Sequence, residues 1–435
     1  MIKFRKMHFA FKGGITPFLS LIFILLLTLI GALIQSASIQ IAKSTRTADM
    51  ELALENLFAE YNVELLEEYG VFAREGKSIK ETVERLEFYG IVETQHEITS
   101  STLLSDSDGL AFYEQALLNM GSVSESTEVF TEHIEEHKDG DPSEKLDTLL
   151  EQEGATLPQE NNPIEAVKTL KNTNLLSLIY PNLEELSNQS VKLERLPSHR
   201  TLEEGEGNVR RQAEKSIKNQ TLFALYLNEH FQNAIKMSKV HPLLYEAEYL
   251  LAGKESDREN LKSVAEKILA IRMAVNYAYI FTDEVKLAEA DIVALGLSSL
   301  LMNPEAKEVV KQAILFAWVY GESIVDLRLL MENKRVPLMK TKETWQINLT
   351  HLFQLAAGRE VGSEKLASDG ITYSEYIKAL LVAEKREVLC MRALDLLELN
   401  TGVRVDNCLT QLELKNTCVL QKKVTYIFQT NYEYQ

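Results

Sequence analysis

Apolar residues are concentrated near the start of the chain, in one uninterrupted stretch. No charged residue occurs from Gly13 to Ala42, and the apolar density is highest from Ile15 to Ile34. A helix rises about 1.5 Å per residue, so this densest part would span roughly 30 Å, the thickness of the hydrocarbon core of a bilayer. Since no later segment is comparably long and apolar, we predict one transmembrane helix over residues 15–42.

The charges that flank this stretch predict its orientation. Short segments rich in Lys and Arg stay in the cytoplasm, so we expect residues 1–14 to form a basic cytoplasmic leader. The bulk of a single-pass protein in the cell membrane would then be extracytoplasmic, although Lys43 and Arg46 on the far side weaken the asymmetry. The basic residues of the leader, which contains no acidic residue, are Lys3, Arg5, Lys6 and Lys12.

A cleaved secretory signal is the alternative interpretation. Ser36-Ala37-Ser38 loosely fits a small-residue cleavage site. The apolar stretch of about 20 residues is, however, longer than the roughly 7–15 residues usual for the core of a signal peptide. A membrane anchor that is retained in the mature protein is therefore the favoured interpretation.

Helical periodicity continues beyond the apolar stretch. Apolar residues recur at helical spacing through Leu54, Leu57 and Leu65, and neither proline nor glycine occurs between Gly31 and Gly70. We predict one continuous helix from Thr16 to Tyr69, with Gly70 as its C-cap. Its second half would open a helical stalk and first ectodomain part over residues 43–150.

The remaining chain alternates helical patterns with polar connections. Residues 151–208 are predicted to be a polar linker region with a short helix at Ile164–Ile179, and residues 209–435 the main helical ectodomain. Helices are predicted there over Val209–Met237, Asp257–Phe281, Asp283–Leu301, Lys307–Tyr320, Glu322–Glu332, Lys340–Leu355 and Tyr373–Leu399. Two of these flank Gly321, which is expected to lie at a turn, with Trp318 and Tyr320 in the core; a partner-binding surface is the alternative for this segment.

Strand-like alternation occurs in three places, Ile91–Thr102, Tyr245–Ala252 and Val403–Tyr434. The last is rich in Val, Thr, Leu and Tyr and predicts a hairpin or small antiparallel sheet. The expected fold class is therefore mainly α (α+β). A long N-terminal transmembrane helix would be followed by a helical ectodomain and a small C-terminal antiparallel β element.

Charge and cysteine content narrow the possible partners. The formal net charge is −18, which argues against nucleic acid because binding to a phosphate backbone needs a basic surface. No small-molecule ligand or cofactor is indicated.

The three cysteines, Cys390, Cys408 and Cys418, form no zinc pattern and are expected to be buried free thiols. A bridge between Cys408 and Cys418 across the predicted hairpin remains the alternative.

Two short motifs resemble known functional motifs, but the residues around them do not support a site. His133 to His137 fits HxxEH, but it lies in a Glu-rich, charged segment where such a match arises easily by chance. Gly76-Lys77-Ser78 has the wrong glycine spacing for a phosphate-binding loop and follows a helix instead of a strand. We therefore predict no metal site and no catalytic residues, and the protein is not expected to be an enzyme.

The leader has the layout of a prepilin signal: basic residues, then Gly13-Gly14, then directly the apolar helix. A prepilin peptidase would cleave after Gly13 or Gly14 and leave the apolar helix on the mature protein. Pilins usually carry Glu at the fifth mature position, whereas this chain has Phe18 or Leu19 there. Small residues follow in the apolar helix, and they would either let another helix approach closely in the membrane or simply tolerate lipid; they are Gly31, Ala32, Ser36, Ala37 and Ser38.

Nearly the whole chain resembles an uncharacterised family of bacterial single-pass membrane proteins, a domain of unknown function whose genes tend to lie beside Tad (Flp) pilus genes. The leader is also similar to that of TadE/TadG-type proteins. The segments that carry the resemblance include KGGITPFLSL, ENLFAEYNVELLEEYGVFA, IRMAVNYAY and FAWVYGESIVDLRLLMENKRVPLMK.

The resemblance implies a membrane-anchored, pseudopilin-like component of a Tad/Flp-type pilus or related secretion system, with a structural or assembly role. Its expected partners are membrane lipid and the membrane helices of other pilus proteins. The alternatives are an anchored extracellular hydrolase and a surface binding protein unrelated to pili.

Overall fold

The computed structural model describes residues 15–434 except 92, 122–168, 171, 208–210, 214–215, 301–304, 306 and 357–368. Within these residues the fold is mostly helical, with a long apolar N-terminal helix and a small antiparallel sheet completed by the C-terminus. The predicted fold class is therefore confirmed. The HxxEH motif at 133–137, the polar stretch 151–162 and the glycines of the leader lie outside the described residues.

Thirteen helices and four strands are used below. The helices are α1 (Ile15–Phe58), α2 (Val63–Tyr69), α3 (Ile79–Phe88), α4 (Asp106–Met120), α5 (Leu175–Ile179), α6 (Ile217–His230), α7 (Glu246–Ala252), α8 (Asp257–Ile280), α9 (Glu284–Leu300), α10 (Lys307–Met331), α11 (Leu349–Ala356), α12 (Tyr373–Ala383) and α13 (Arg386–Thr401). The strands are β1 (Arg74–Glu75), β2 (Thr94–Leu103), β3 (Cys408–Leu420) and β4 (Val424–Glu433).

The predicted continuous helix from Thr16 to Tyr69 is wrong, because α1 ends at Phe58 and α2 begins at Val63. Asn62 causes the break. Its side chain caps α2 by accepting a hydrogen bond from the Leu65 backbone N–H at 2.9 Å, and its own backbone N–H donates to the Ala73 carbonyl at 2.9 Å. Gly70 ends α2 in the left-handed conformation, with φ of 62°, as predicted for a C-cap.

β3 is the central strand of the sheet. It pairs along one edge with β2 and along the other with β1 and β4, and all three pairings are antiparallel. The β3–β4 hairpin turns at Gln421–Lys423, and Leu420 pairs with Val424 at its tip. The strand expected near Ile91–Thr102 and the C-terminal hairpin are both confirmed.

Cys408 and Cys418 do not flank this hairpin. Both lie on β3, at opposite ends of an extended segment, so they are separated by roughly 33 Å at about 3.3 Å per residue. All three cysteines are free and buried. A Cys408–Cys418 bridge is therefore excluded by the fold.

The core has two parts. The smaller is built where α1 packs on α3 and the sheet, and the larger is built by the helices from α4 onward. The smaller core consists of Met50, Ala53, Leu54, Leu57, Phe58, Leu86, Ile91, Leu103, Leu409, Leu412 and Leu414. We call the folded part formed by the two cores and the sheet the head. The last third of α1 is therefore part of the head.

Four predictions for the helical part are wrong. The helix predicted over Lys340–Leu355 begins only at Leu349, as α11. The segment predicted as a strand at Tyr245–Ala252 is helix α7, which ends at Gly253 in the left-handed conformation. Gly321 lies inside α10 and forms no turn, while Trp318 and Tyr320 are buried as expected. The helix predicted over Tyr373–Leu399 is divided into α12 and α13 by extended backbone at Glu384 and Lys385.

Candidate functional site: the membrane-proximal helix and hairpin

The first half of α1 is exposed in the described structure. Every residue from 15 to 38 is exposed, partial burial begins at Ile39, and Met50 is the first fully buried residue. Within the described residues, α1 is the one helix long and apolar enough to cross a membrane, with a mean hydropathy of 2.7 over its most apolar window. By composition and length it fits either a membrane anchor or a signal sequence.

The hairpin meets α1 where the helix leaves its apolar half. The Thr47 hydroxyl lies 3.1 Å from the Tyr426 hydroxyl, and the Lys43 ammonium lies 5.2 Å from the centroid of the Tyr426 ring. Closer to the N-terminus, the hairpin tip and α1 enclose a cleft of about 230 Å³. Its lining residues are Gly31, Ile34, Gln35, Ser38, Ile39, Ala42, Leu420 and Gln421.

The structure divides the small residues that the sequence singled out for helix packing. Gly31 and Ser38 line the cleft beside the hairpin tip. Ala32, Ser36 and Ala37 are exposed and do not line it. Because successive residues are about 100° apart around a helix, Ala32 and Ser36 share a different face of α1.

Aromatic residues of the C-terminus hold the end of α1. The Phe58 ring stacks on Tyr432 with centroids 4.5 Å apart and meets Tyr434 edge-on at 5.2 Å. The Tyr434 hydroxyl donates a hydrogen bond to the Phe58 carbonyl, and its ring stacks on Phe72 at 5.6 Å. This cluster was not predicted from the sequence. Its signal was the aromatic period of two at Tyr426, Phe428, Tyr432 and Tyr434.

Replacing Phe58 by leucine should lower the free energy of unfolding by about 1–3 kcal/mol. Leucine keeps most of the apolar surface but loses the two aromatic contacts, each worth about 0.5–1.5 kcal/mol beyond burial. Phe88→Leu is the matched control, because Phe88 is 74% exposed on α3. Urea unfolding of the full chain in mild detergent measures both. Equal effects of the two substitutions would contradict a role for Phe58 in holding α1.

A second cleft, of about 540 Å³, lies at the break between α1 and α2. Its buried Arg74 donates to the Gly76 carbonyl at 2.8 Å, and its Nε lies 3.6 Å from a Glu60 carboxylate oxygen. Arg85 also pairs with Glu60, at 3.5 Å. Guanidinium and carboxylate groups therefore largely compensate one another here, and the cleft has no nucleophile paired with a base.

The most concentrated charges of the helical core are sealed from solvent. The Asp326 carboxylate accepts hydrogen bonds from Arg272 at 3.0 and 2.8 Å, and its other oxygen lies 2.6 Å from the Lys340 ammonium. Lys340 also donates to Glu322 at 2.6 Å. All four side chains are buried. This buried charge network, defined as Arg272, Glu322, Asp326 and Lys340, joins α8 to α10 and to the segment that follows α10.

Burial opposes ionisation of Asp326, but the neighbouring Arg272 and Lys340 cations outweigh it and hold its pKa below the usual range. Residues 318–326, for which core and partner surface were both open, lie in the core. Trp318 donates its indole N–H to the Ile347 carbonyl at 2.9 Å.

Among the described residues, no group of three or more His, Cys, Asp or Glu side chains is placed to hold a metal ion.

Comparison with known proteins gives one match. No curated protein and no solved structure matches the chain significantly. Residues 153–420 match DUF5702, a family of unknown function. The matched region contains the helices from α5 to α13, the buried charge network and β3, and it covers more than half of the chain. The protein therefore belongs to the DUF5702 family of unknown function.

Proposed function

We propose that this protein is a membrane-anchored, pseudopilin-like component of a Tad/Flp-type pilus or related secretion system, with a structural or assembly role. The observation that carries the proposal is that α1 is one unbroken helix with two environments. Its first half is apolar and exposed, and its last turns are built into the core with α3 and the sheet. Any displacement of the membrane half is therefore transmitted directly to the head.

Retention of the apolar half, rather than removal as a secretory signal, is supported by the cleft beside the hairpin. Gly31, Ile34 and Gln35 precede the Ser36–Ser38 segment and still line the cleft with Leu420. A cut near Ser38 would remove one wall of it. In the proposed orientation the basic leader stays in the cytoplasm and the head is extracytoplasmic.

The partners in this proposal are lipid and other apolar helices. The face that carries Ala32 and Ser36 lies beside no other part of the described head, so a second helix can approach it closely. A filament helix of the same apolar type is the partner that this face fits. The sealed charge network and the compensated cleft at Arg74 favour such a structural role over hydrolysis.

Cleavage of the leader tests the proposal. We expect the mature chain to begin at Gly14 or Ile15, because the glycine pair lies between the basic leader and the bilayer, within reach of a membrane-embedded peptidase. The Gly13→Val, Gly14→Val double variant should remain uncleaved and fail to restore filaments in a strain that lacks the gene. N-terminal sequencing of membrane-extracted protein and counting of surface filaments provide the measurements.

Leu26→Val is the matched control, because it places the same side chain in the same apolar segment, at a position that is 48% exposed and does not line the cleft. It should be cleaved and should restore filaments. A native chain that begins at Met1 in a strain whose pilin is processed would contradict pseudopilin processing. A start near Ile39 would instead support a secretory signal, and normal filaments without the gene would rule out the pilus role.

A further inference from the structure

The tip of the β3–β4 hairpin lies beside the apolar half of α1, not beside the half that joins the core. Leu420 and Gln421 line the cleft with helix residues from Gly31 to Ala42. The strands then run along α1 toward its C-terminal end, past Thr47 at Tyr426 and up to Phe58 at Tyr432. The hairpin is therefore a second element that points toward the N-terminal end of α1.

The position of the tip along α1 gives its depth relative to a bilayer. If Ile15–Ile34 fills the hydrocarbon core, Gly31 lies about 5 Å inside its outer boundary, and Ala42 lies about 12 Å outside it. The hairpin tip lies between these two levels. That interval runs from the outer edge of the hydrocarbon core across the headgroup region of the outer leaflet to the water just beyond it.

The side chains at the tip are of the kinds that occur at this depth in a bilayer. Val419 and Ile427 are 64% and 57% exposed, and they lie on the same face because Val419 pairs with Thr425 and Thr417 with Ile427. Lys423 is exposed at the turn. Apolar side chains beside Lys and Tyr are typical of surfaces that sit at a membrane interface, where ammonium groups reach the phosphates.

We propose that the β3–β4 tip is a second membrane contact, in which Val419 enters the outer leaflet and Lys423 faces lipid phosphate. This inference rests on the proposed anchoring of α1. A single helix leaves the head free to tilt relative to the bilayer, whereas a second contact beside it limits that tilt. The occupant is the phospholipid bilayer itself.

Lipid-borne quenchers test the contact in the full chain. The protein is reconstituted into phosphatidylcholine vesicles that contain nitroxide-labelled lipid, with a fluorophore on a single introduced cysteine; the unsubstituted chain, whose three cysteines are buried, gives the labelling background. The positions are Val419→Cys, Ile427→Cys, Leu25→Cys in the span and Val240→Cys, which is 93% exposed in the head. We expect quenching to decrease in the order Leu25, Val419, Ile427, with none at Val240.

Two variants sharpen the test. Val419→Asp should abolish quenching of the label at Ile427, because a carboxylate disfavours the acyl boundary, whereas Val240→Asp should leave it unchanged. Adding phosphatidylglycerol should increase quenching at Val419, and Lys423→Glu should remove that increase. Quenching at Leu25 with none at Val419 would overturn the tip contact and leave the anchor intact. Absence of quenching at Leu25 would overturn the anchor and the tip contact together.

Discussion

Replacing Asp326 by asparagine should lower the free energy of unfolding by about 3–5 kcal/mol, the range found when one partner of a buried ion pair is removed. Asparagine has nearly the same size, so the loss is electrostatic. The substitution leaves the Arg272 guanidinium without its carboxylate partner, and it leaves Lys340 with Glu322 alone. Neither cation reaches water, since Arg272 and Lys340 are both buried.

Urea unfolding of the full chain in mild detergent, followed by circular dichroism, measures this effect. Asp291→Asn is the matched control, because Asp291 also pairs with two lysines, at 2.8 and 3.3 Å, but on the surface of α9. It should leave the midpoint nearly unchanged, as expected for an exposed ion pair. Adding Lys340→Met to Asp326→Asn should recover part of the loss, because it removes one uncompensated buried charge. Equal midpoint shifts for Asp326→Asn and Asp291→Asn would contradict a sealed network.

Raising the pH from about 4.5 to 7 should cost the protein about 3 kcal/mol through Glu248 alone. This carboxyl group lies on α7 and is completely buried, and burial raises its pKa to about 7 despite hydrogen bonds from the Tyr373 hydroxyl at 2.6 Å and the Ala234 N–H at 3.0 Å. Both donors meet the same oxygen, and the other oxygen has no hydrogen-bond partner in the described structure.

The sign of the effect follows from the direction of the pKa shift. The folded state holds the Glu248 proton more tightly than the unfolded state, so the stabilisation is complete below the unfolded pKa near 4.5 and is lost as the pH rises through 7. Each pKa unit corresponds to about 1.36 kcal/mol, so a shift of this size gives the total of about 3 kcal/mol.

Glu248→Gln isolates this contribution, because glutamine mimics the protonated carboxyl at every pH. The difference in unfolding free energy between wild type and variant should change by about 3 kcal/mol between pH 4.5 and 8, with the variant gaining on the wild type as the pH rises. Glu255→Gln removes a carboxylate from an exposed position and should follow the wild-type profile. Parallel profiles for wild type and Glu248→Gln would show that Glu248 stays ionised or reaches water.

The elements that the sequence predicted correctly are those whose signal is local. An uncharged stretch as long as a bilayer predicts α1 without any knowledge of its neighbours. Alternation along Val403–Tyr434 predicts the hairpin because one face of a strand is buried and the other is not. Gly70 was recognisable as a C-cap because glycine adopts a positive φ at little cost.

The errors occurred where a distant residue competes with a local preference. Residues 58–63 contain neither proline nor glycine, yet the helix breaks there because the Asn62 backbone N–H donates to the distant Ala73 carbonyl while the Asn62 side chain caps α2. The sequence of α7 is short and apolar, so its periodicity does not distinguish a helix from a strand. Its helix is set by Asp257, which accepts hydrogen bonds from the backbone N–H groups of Leu244 and Tyr245 just before it.

By itself, the sequence determined the apolar N-terminal helix, the mainly helical class and the C-terminal hairpin, because helical and strand periods and uncharged length are properties of neighbouring residues. Only the tertiary structure decided which charges are buried and what lies beside the apolar helix. Arg272 and Asp326 are 54 positions apart, and Thr47 and Tyr426 are 379 positions apart. Burial and contact at such separations depend on how the whole chain folds back on itself, because solvent is excluded by packing and not by the sequence around each residue.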